Sequence, residues 1–175
     1  AEIVATPTID TLEITGKRSL LIVDDNVELR QYLRKIFKDK FIIYEAENGT
    51  QGYELSQKHV PDIVVSDVLM DEVNGVDLCK KIKSDSLLSH IPVILLSGLS
   101  SVDSKLKGIE SGADDYIVKP FEKELLIARI NAILENRDTL HQYFQDSITL
   151  RNNTQKISAT YKEFLEKCIS IIEDN

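Results

Sequence analysis

The sequence predicts an α/β fold built on a doubly wound, five-stranded parallel sheet. Three observations lead there. Five short apolar runs, each of strand length, punctuate the chain: Ser19 to Val23, Phe41 to Tyr44, Ile63 to Ser66, Val93 to Leu96 and Tyr116 to Val118. Each is followed by a segment with the apolar spacing of a helix. Strands that alternate with helices and carry near-continuous apolar residues belong to parallel sheets covered on both faces. Finally, four of the runs end in polar residues: Asp24-Asp25, Asp67, Ser97 and Lys119. In such a sheet, the carboxyl edge of the strands is where ligands bind.

In chain order, residues 1 to 17 hold Pro7, Gly16 and several Thr without a sustained period, and read as a linker. The helix expected over Val27 to Lys38 carries Leu29, Tyr32, Leu33, Ile36 and Phe37 on one face. After the second strand, Glu47-Asn48-Gly49 makes a turn, and Thr50 to Lys58 reads as a short helix halted before Pro61. The third strand runs into Asp67, and the chain turns again at Asn74-Gly75. A helix over Val76 to Lys83 then points Leu78 and Ile82 inward. Val102, Leu106 and Ile109 lie at i, i+4 and i+7 of a fourth helix closed by Gly112. A fifth, marked by Leu126, Ile130, Ile133 and Leu134, starts near Lys123 and reaches at least Asn136. Asp146 to Ser158 has no apolar period and reads as a connector. Beyond it, Tyr161, Phe164, Leu165, Cys168, Ile169 and Ile172 form the stripe of an amphipathic helix that needs a partner. The expected organisation is a linker over 1–17, a main domain over 18–138, a helix extension and linker over 139–158, and the start of a further module over 159–175.

A chain of 175 residues with a net charge of −8 does not suit non-specific binding to nucleic acid or anionic lipid. No apolar run approaches a membrane span, so no direct membrane contact is expected. Cys79 and Cys168 stand apart in no metal-ligand spacing, which suits reduced thiols in a reducing, cytoplasmic setting. The opening AEIVATPTID lacks an initiator Met, and both ends read as cut from something longer. His59, His90 and His141 are scattered, as surface histidines are, and no Gly-rich phosphate loop is present.

The polar strand ends define a chemistry. Taken alone, a strand-end Asp is most simply a loop cap. Three carboxylates brought to one sheet edge repel one another and call for a cation. Hard oxygen donors of this kind suit Mg2+, which keeps several waters and accepts a phosphate oxygen. A hydroxyl at Ser97 and an ammonium at Lys119 could hold the remaining oxygens of a phosphoryl group. That arrangement fits attack by Asp67 on a phosphoryl donor to give an aspartyl phosphate.

The stretches LLIVDDN, IVVSDVLM, VILLSG and GADDYIVKPF, in this order and spacing, resemble the receiver domain of bacterial two-component response regulators over roughly residues 18 to 138. The resemblance implies a flavodoxin-like (CheY-like) fold with sheet order 2-1-3-4-5. It also implies Asp67 as phosphoacceptor, with Asp25 as direct Mg2+ ligand and Asp24 binding directly or through water. The backbone carbonyl of Leu69 would be a further ligand. Lys119 would pair with the phosphate ahead of a cis peptide to Pro120, and Ser97 and Tyr116 occupy the hydroxyl and aromatic switch positions. The implied partners are a histidine kinase domain in the same polypeptide and a second copy bound through the fourth helix, fifth strand and fifth helix. Two residues depart from the family pattern: Asp71 stands where Pro is common, and Gly98 where Ala is frequent. The C-terminal helix resembles the lead-in to an AraC-type helix-turn-helix of hybrid sensor kinases, so DNA would be reached only through a module beyond this chain.

Two other classes compete. An Mg2+-dependent phosphatase or hydrolase also uses an Asp nucleophile, but typically needs an acid/base Asp two residues on, where this chain has Leu69. A phosphorylation-independent pseudo-receiver would not need the full polar set. Steady-state hydrolysis of small phosphomonoesters separates enzyme from switch.

Overall fold

The computed structural model describes residues 16–71, 73–98, 106 and 108–153, with side chains through residue 145. The strands are β1 (Arg18–Val23), β2 (Phe41–Ala46), β3 (Ile63–Asp67), β4 (Val93–Ser97) and β5 (Asp115–Val118). Helices α1 (Val27–Phe37), α2 (Gly49–His59) and α3 (Gly75–Ser84) follow the first three strands. Residues 106 and 108–110 belong to α4, and α5 spans Lys123–Asn153. The chain divides into two compact units, Ala1–Leu134 and Glu135–Asn175.

In the first unit all strands pair in parallel, in the order β2-β1-β3-β4-β5. Strand alternation sorts the core into two layers. Leu20, Ile22, Ile63, Val65, Ile94, Leu96 and Ile117 face one side, where Leu33 and Phe37 of α1 and Leu126, Ile130 and Leu134 of α5 cover them. Leu21, Val23, Val64, Val93 and Leu95 face the other, against Leu78, Cys79 and Ile82 of α3. Burial on both faces is why these strands read as unbroken apolar runs.

Three helices begin at an asparagine whose side chain accepts from the first-turn amides. Asn26 takes those of Glu28 and Leu29, Asn48 that of Gln51, and Asn74 that of Asp77. Such caps satisfy donors that would otherwise lack partners. Asn48 and Asn74 were expected in turns; each instead starts a helix one residue earlier than the apolar spacing suggests. Asp62 ties the opposite edge together, accepting from the Ser19 amide at 2.7 Å and the Ser19 hydroxyl at 3.0 Å.

Two expectations need correction. Tyr32 is not part of the buried face of α1: it is 45 % exposed, on the flank beside Leu33 and Ile36. Residues 146–153, expected in a connector, are helical and continue α5. No Gly or Pro interrupts residues 123 to 153. Ser, Thr and Asn cost only about 0.7 kcal/mol or less each, too little to stop a helix already nucleated. Within the second unit, the Tyr143 and Phe144 rings meet edge to face at 6.0 Å, and Leu140, Tyr143 and Phe144 are exposed. The helix expected from Tyr161 to Ile172, with Cys168, lies outside the described residues. Cys79 is free and buried, and burial pushes its thiol up from the ordinary value. Among the described residues no helix is long and apolar enough to cross a membrane.

Candidate functional site

Sheet register assembles the site. Val23 is paired with Ser66, Asp67 with Leu96, and Ser97 with Val118. The residues that follow β1, end β3, end β4 and follow β5 therefore share one edge, which is where Asp24, Asp67, Ser97 and Lys119 stand. Carboxylate oxygens of Asp24, Asp25 and Asp67 all lie within 4.8 Å of one another. Asp24 and Asp67 are buried, at 1 % and 6 % exposure, and Asp25 is exposed.

Lys119 crosses the cluster. Its Nζ lies 2.9 Å from Asp67 Oδ1 and donates to Asp24 Oδ2 at 3.1 Å. Asp24 Oδ1 accepts the Asn26 amide at 2.8 Å. Burial pushes the Asp67 carboxyl above its ordinary value and the Asp24 charge adds to that, against the hydrogen bond and charge of Lys119. Burial pulls the Lys119 ammonium down, but its bond to Asp67 and the charges of Asp24 and Asp67 outweigh this and leave it raised. Three carboxylates facing one ammonium leave an excess of negative charge, the condition a divalent cation relieves. The donor set thus fits Mg2+: oxygen-only, clustered, and open to solvent on the Asp25 side.

Ser97 is fully buried, and its carbonyl accepts the Lys119 amide at 2.7 Å. The Lys119–Pro120 peptide is cis. Leu69 is 54 % exposed and Asp71 is exposed, both on the loop after β3. Tyr116 is half-buried, against the α3 side of the core and beside α4. A Cβ on Gly108 would come within 2.6 Å of its ring. Tyr116 also borders a cleft of about 420 Å³ with Phe121, Leu125 and Arg129.

Two structural contributors escape sequence reading. Gly75, taken for a turn residue, stands where a Cβ would lie 1.9 Å from the Asp67 carbonyl oxygen, and its amide bonds the Val68 carbonyl at 3.1 Å. Arg30 is buried at 7 % exposure, and its guanidinium donates to the main-chain carbonyl of Asp24 at 2.6 Å. Nothing in local spacing marks either; a buried arginine is visible only once β1, α1 and the loop after β2 are assembled.

A parallel sheet in this order, with an acidic cluster and a lysine at its carboxyl edge, defines a receiver-type signalling domain. Residues 20–131 match the family model for the response regulator receiver domain, and the chain belongs to that family. It is 42 % identical over 166 residues to histidine kinase P4 of Formosa agariphila, a match covering 95 % of this chain and 12 % of that protein. It is 36 % identical over 122 residues to the probable transcriptional regulatory protein SilR of Salmonella typhimurium, covering 69 % of this chain and 53 % of SilR. Among solved structures, the signal receiver domain of a signal transduction histidine kinase from Syntrophus aciditrophicus is 32 % identical, with a TM-score of 0.65. That match covers 68 % of this chain and 91 % of the other. The chain thus spans about an eighth of the first relative and about half of the second.

Proposed function

We propose that this receiver domain accepts a phosphoryl group on Asp67 from a phosphohistidine and switches conformation in response. The carrying observation is the carboxylate cluster with Lys119 bonded across it. An Asp67 oxygen attacks phosphorus, the P–N bond of the donor breaks, and its electron pair returns to the imidazole nitrogen. Asp25, Asp67 and the Leu69 carbonyl, with Asp24 directly or through water, would hold Mg2+, which would neutralise charge on the transferring group. Lys119 exchanges its bond with the Asp67 carboxylate for one with a phosphoryl oxygen. An apolar, exposed Leu69 at the second position after Asp67 supports a switch over a hydrolase.

Treating the protein with a small phosphodonor and Mg2+ should raise its intact mass by one phosphate, and excess chelator should prevent this. Equal labelling with and without chelator would sink the reading.

In the same proposal, Ser97 and Tyr116 couple the new phosphate to the surface made by α4, β5 and α5. The phosphoryl group brings about −1.5 to −2 charge and three acceptor oxygens beside the Ser97 strand end. Exposed Leu106, Ile109 and Leu125 support that surface as the contact to a second copy. Phosphorylation should change amide exchange along β5 and α4, and Ser97→Ala should shrink that difference several-fold. Identical responses in the variant and the unsubstituted protein would break the coupling.

The donor is proposed to be a kinase domain of the same polypeptide, because the likeness to histidine kinase P4 runs over nearly the whole chain. The output is proposed to be transcriptional, through a DNA-binding module of AraC type beyond residue 175; the likeness to SilR supports the transcriptional part.

A further inference from the structure

We infer that Arg30 is a positioning residue for the metal-binding acidic pair, acting through the peptide that joins Asp24 to Asp25. The inference rests on the proposed cation site and extends it to a residue that touches neither metal nor phosphate. Arg30 lies in the first half of α1 and is almost completely buried, although its guanidinium always carries charge. A buried charge is tolerated only where its donors are engaged. One engaged donor is Nη1, bonded to the Asp24 carbonyl at 2.6 Å, and another is Nη2, bonded to Glu47 Oε1 at 3.2 Å. Glu47 belongs to the loop after β2, so the guanidinium spans two loops of the carboxyl edge.

The geometry around Asp24 explains what that span does. The Asp24 amide is held by the Ala46 carbonyl at 3.1 Å, the last bond between β1 and β2. The Asp24 carboxylate is held by the Asn26 amide and Lys119. The Asp24 carbonyl is held by Arg30. That carbonyl fixes the plane of the peptide leading into Asp25, which lies past the end of β1 and is exposed to solvent. Arg30 thereby sets the direction in which the Asp25 carboxylate leaves the main chain.

The charge of Arg30 predicts the opposite effect from its hydrogen bond. A cation near the cluster competes with Mg2+, so if charge alone mattered, its removal would tighten metal binding. If Arg30 positions Asp25, its removal weakens metal binding. The sign of the change therefore decides between the two roles.

The test uses the full chain and Arg30→Met, which keeps an apolar stem in the buried space, beside Arg30→Lys and Glu47→Gln. Asp25→Asn serves as the reference for a lost ligand. Magnesium affinity is read by calorimetry with MgCl2, and the rate of phosphate uptake from a small phosphodonor is followed against Mg2+ concentration. Arg30→Met should weaken Mg2+ binding about tenfold, with the uptake rate at saturating Mg2+ within about threefold of the unsubstituted protein. Arg30→Lys, which retains one donor for the carbonyl but not the fork, should recover part of the affinity. Glu47→Gln, which leaves the carbonyl bond in place, should shift affinity by less than about threefold. Faster amide exchange in Arg30→Met should be confined to Asp25 and Asn26, sparing Leu21 and Ile22. Unchanged or tighter Mg2+ binding in Arg30→Met overturns the inference, as does loss of protection throughout β1. A protein that binds Mg2+ in an Arg30-dependent way yet never takes up phosphate would instead overturn the phosphoacceptor reading and leave this inference standing.

Discussion

Asp67→Asn should abolish Mg2+-dependent uptake of phosphate and, at the same time, stabilise the metal-free protein at neutral pH. The first effect follows because an amide of the same shape has no charged oxygen with which to attack phosphorus. The second follows from the electrostatics of the carboxylate cluster when chelator keeps it free of metal. Burial raises the Asp67 carboxyl, and Lys119 lowers it only in part. A carboxyl whose folded value lies above its unfolded value holds its proton more tightly in the folded state. Its contribution to stability is therefore lost as pH rises from the ordinary carboxylate range through the raised value, and the full penalty applies above it. The Asn variant lacks that penalty, and Lys119 keeps Asp24 as its partner at 3.1 Å. The gain in the variant should be on the order of 1 kcal/mol at pH 7 and should shrink toward pH 4. Thermal unfolding of both proteins in chelator, across that pH range, measures it. Added Mg2+ should reverse the order, because it stabilises only the protein that binds it well. Undiminished labelling of Asp67→Asn, or a lower melting temperature than the unsubstituted protein in chelator at pH 7, would contradict this account.

Gly75→Ala should be the most damaging single-methyl change at the site. Gly75 opens α3 directly behind Asp67, and a Cβ there would lie 1.9 Å from the Asp67 carbonyl oxygen and 2.8 Å from its carbonyl carbon. Both are main-chain atoms of a central strand bonded to its neighbours, so neither can swing aside as a flexible side chain would. Either β3 shifts at Asp67 or the start of α3 moves away, breaking the Gly75 amide bond to the Val68 carbonyl. Overpacking of this kind costs about 3 kcal/mol or more. For a domain of this size that is a fall of ~10 °C or more in melting temperature. Because the displaced atoms carry the Asp67 side chain, phosphate uptake should fall at least about tenfold, even at a temperature where the variant is folded. By comparison Gly98→Ala, where a Cβ would meet nothing within 4 Å, should change stability by less than about 0.5 kcal/mol. A Gly75→Ala protein with unchanged melting temperature and uptake would contradict this account of the contact between α3 and β3.

The strands and most helices of the first unit were legible in the chain because a doubly covered parallel sheet imposes a pattern that local sequence must carry. Runs such as Leu20 to Val23 and Val93 to Leu96 can be apolar on both faces only if both faces are buried. The polar residues ending those runs were legible for the same reason: each breaks an apolar run at a definite place. Periodicity was silent where cost is low. It could not mark Asp146 to Asn153 as helix, because Ser, Thr and Asn shift helix propensity too weakly to announce a boundary. Nor could it separate exposed Tyr32 from buried Leu33 and Phe37, since neighbouring positions on a helix face differ only by what packs over them.

By itself, then, the sequence determined the α/β alternation, the identity of the acids, hydroxyl and lysine at the strand ends, and the family resemblance they carry. The tertiary structure decided how close these groups come: the 4.8 Å carboxylate cluster and the Lys119 bridge. It also decided the roles of Arg30 and Gly75. One is a buried charge bonded to a carbonyl six residues back, the other a missing side chain beside a main-chain oxygen eight residues earlier. Those roles depend on which backbone atoms the packed strands and helices bring within contact distance. Hydrophobic patterning constrains which face of an element is buried, and leaves the distances between particular atoms to the packing itself.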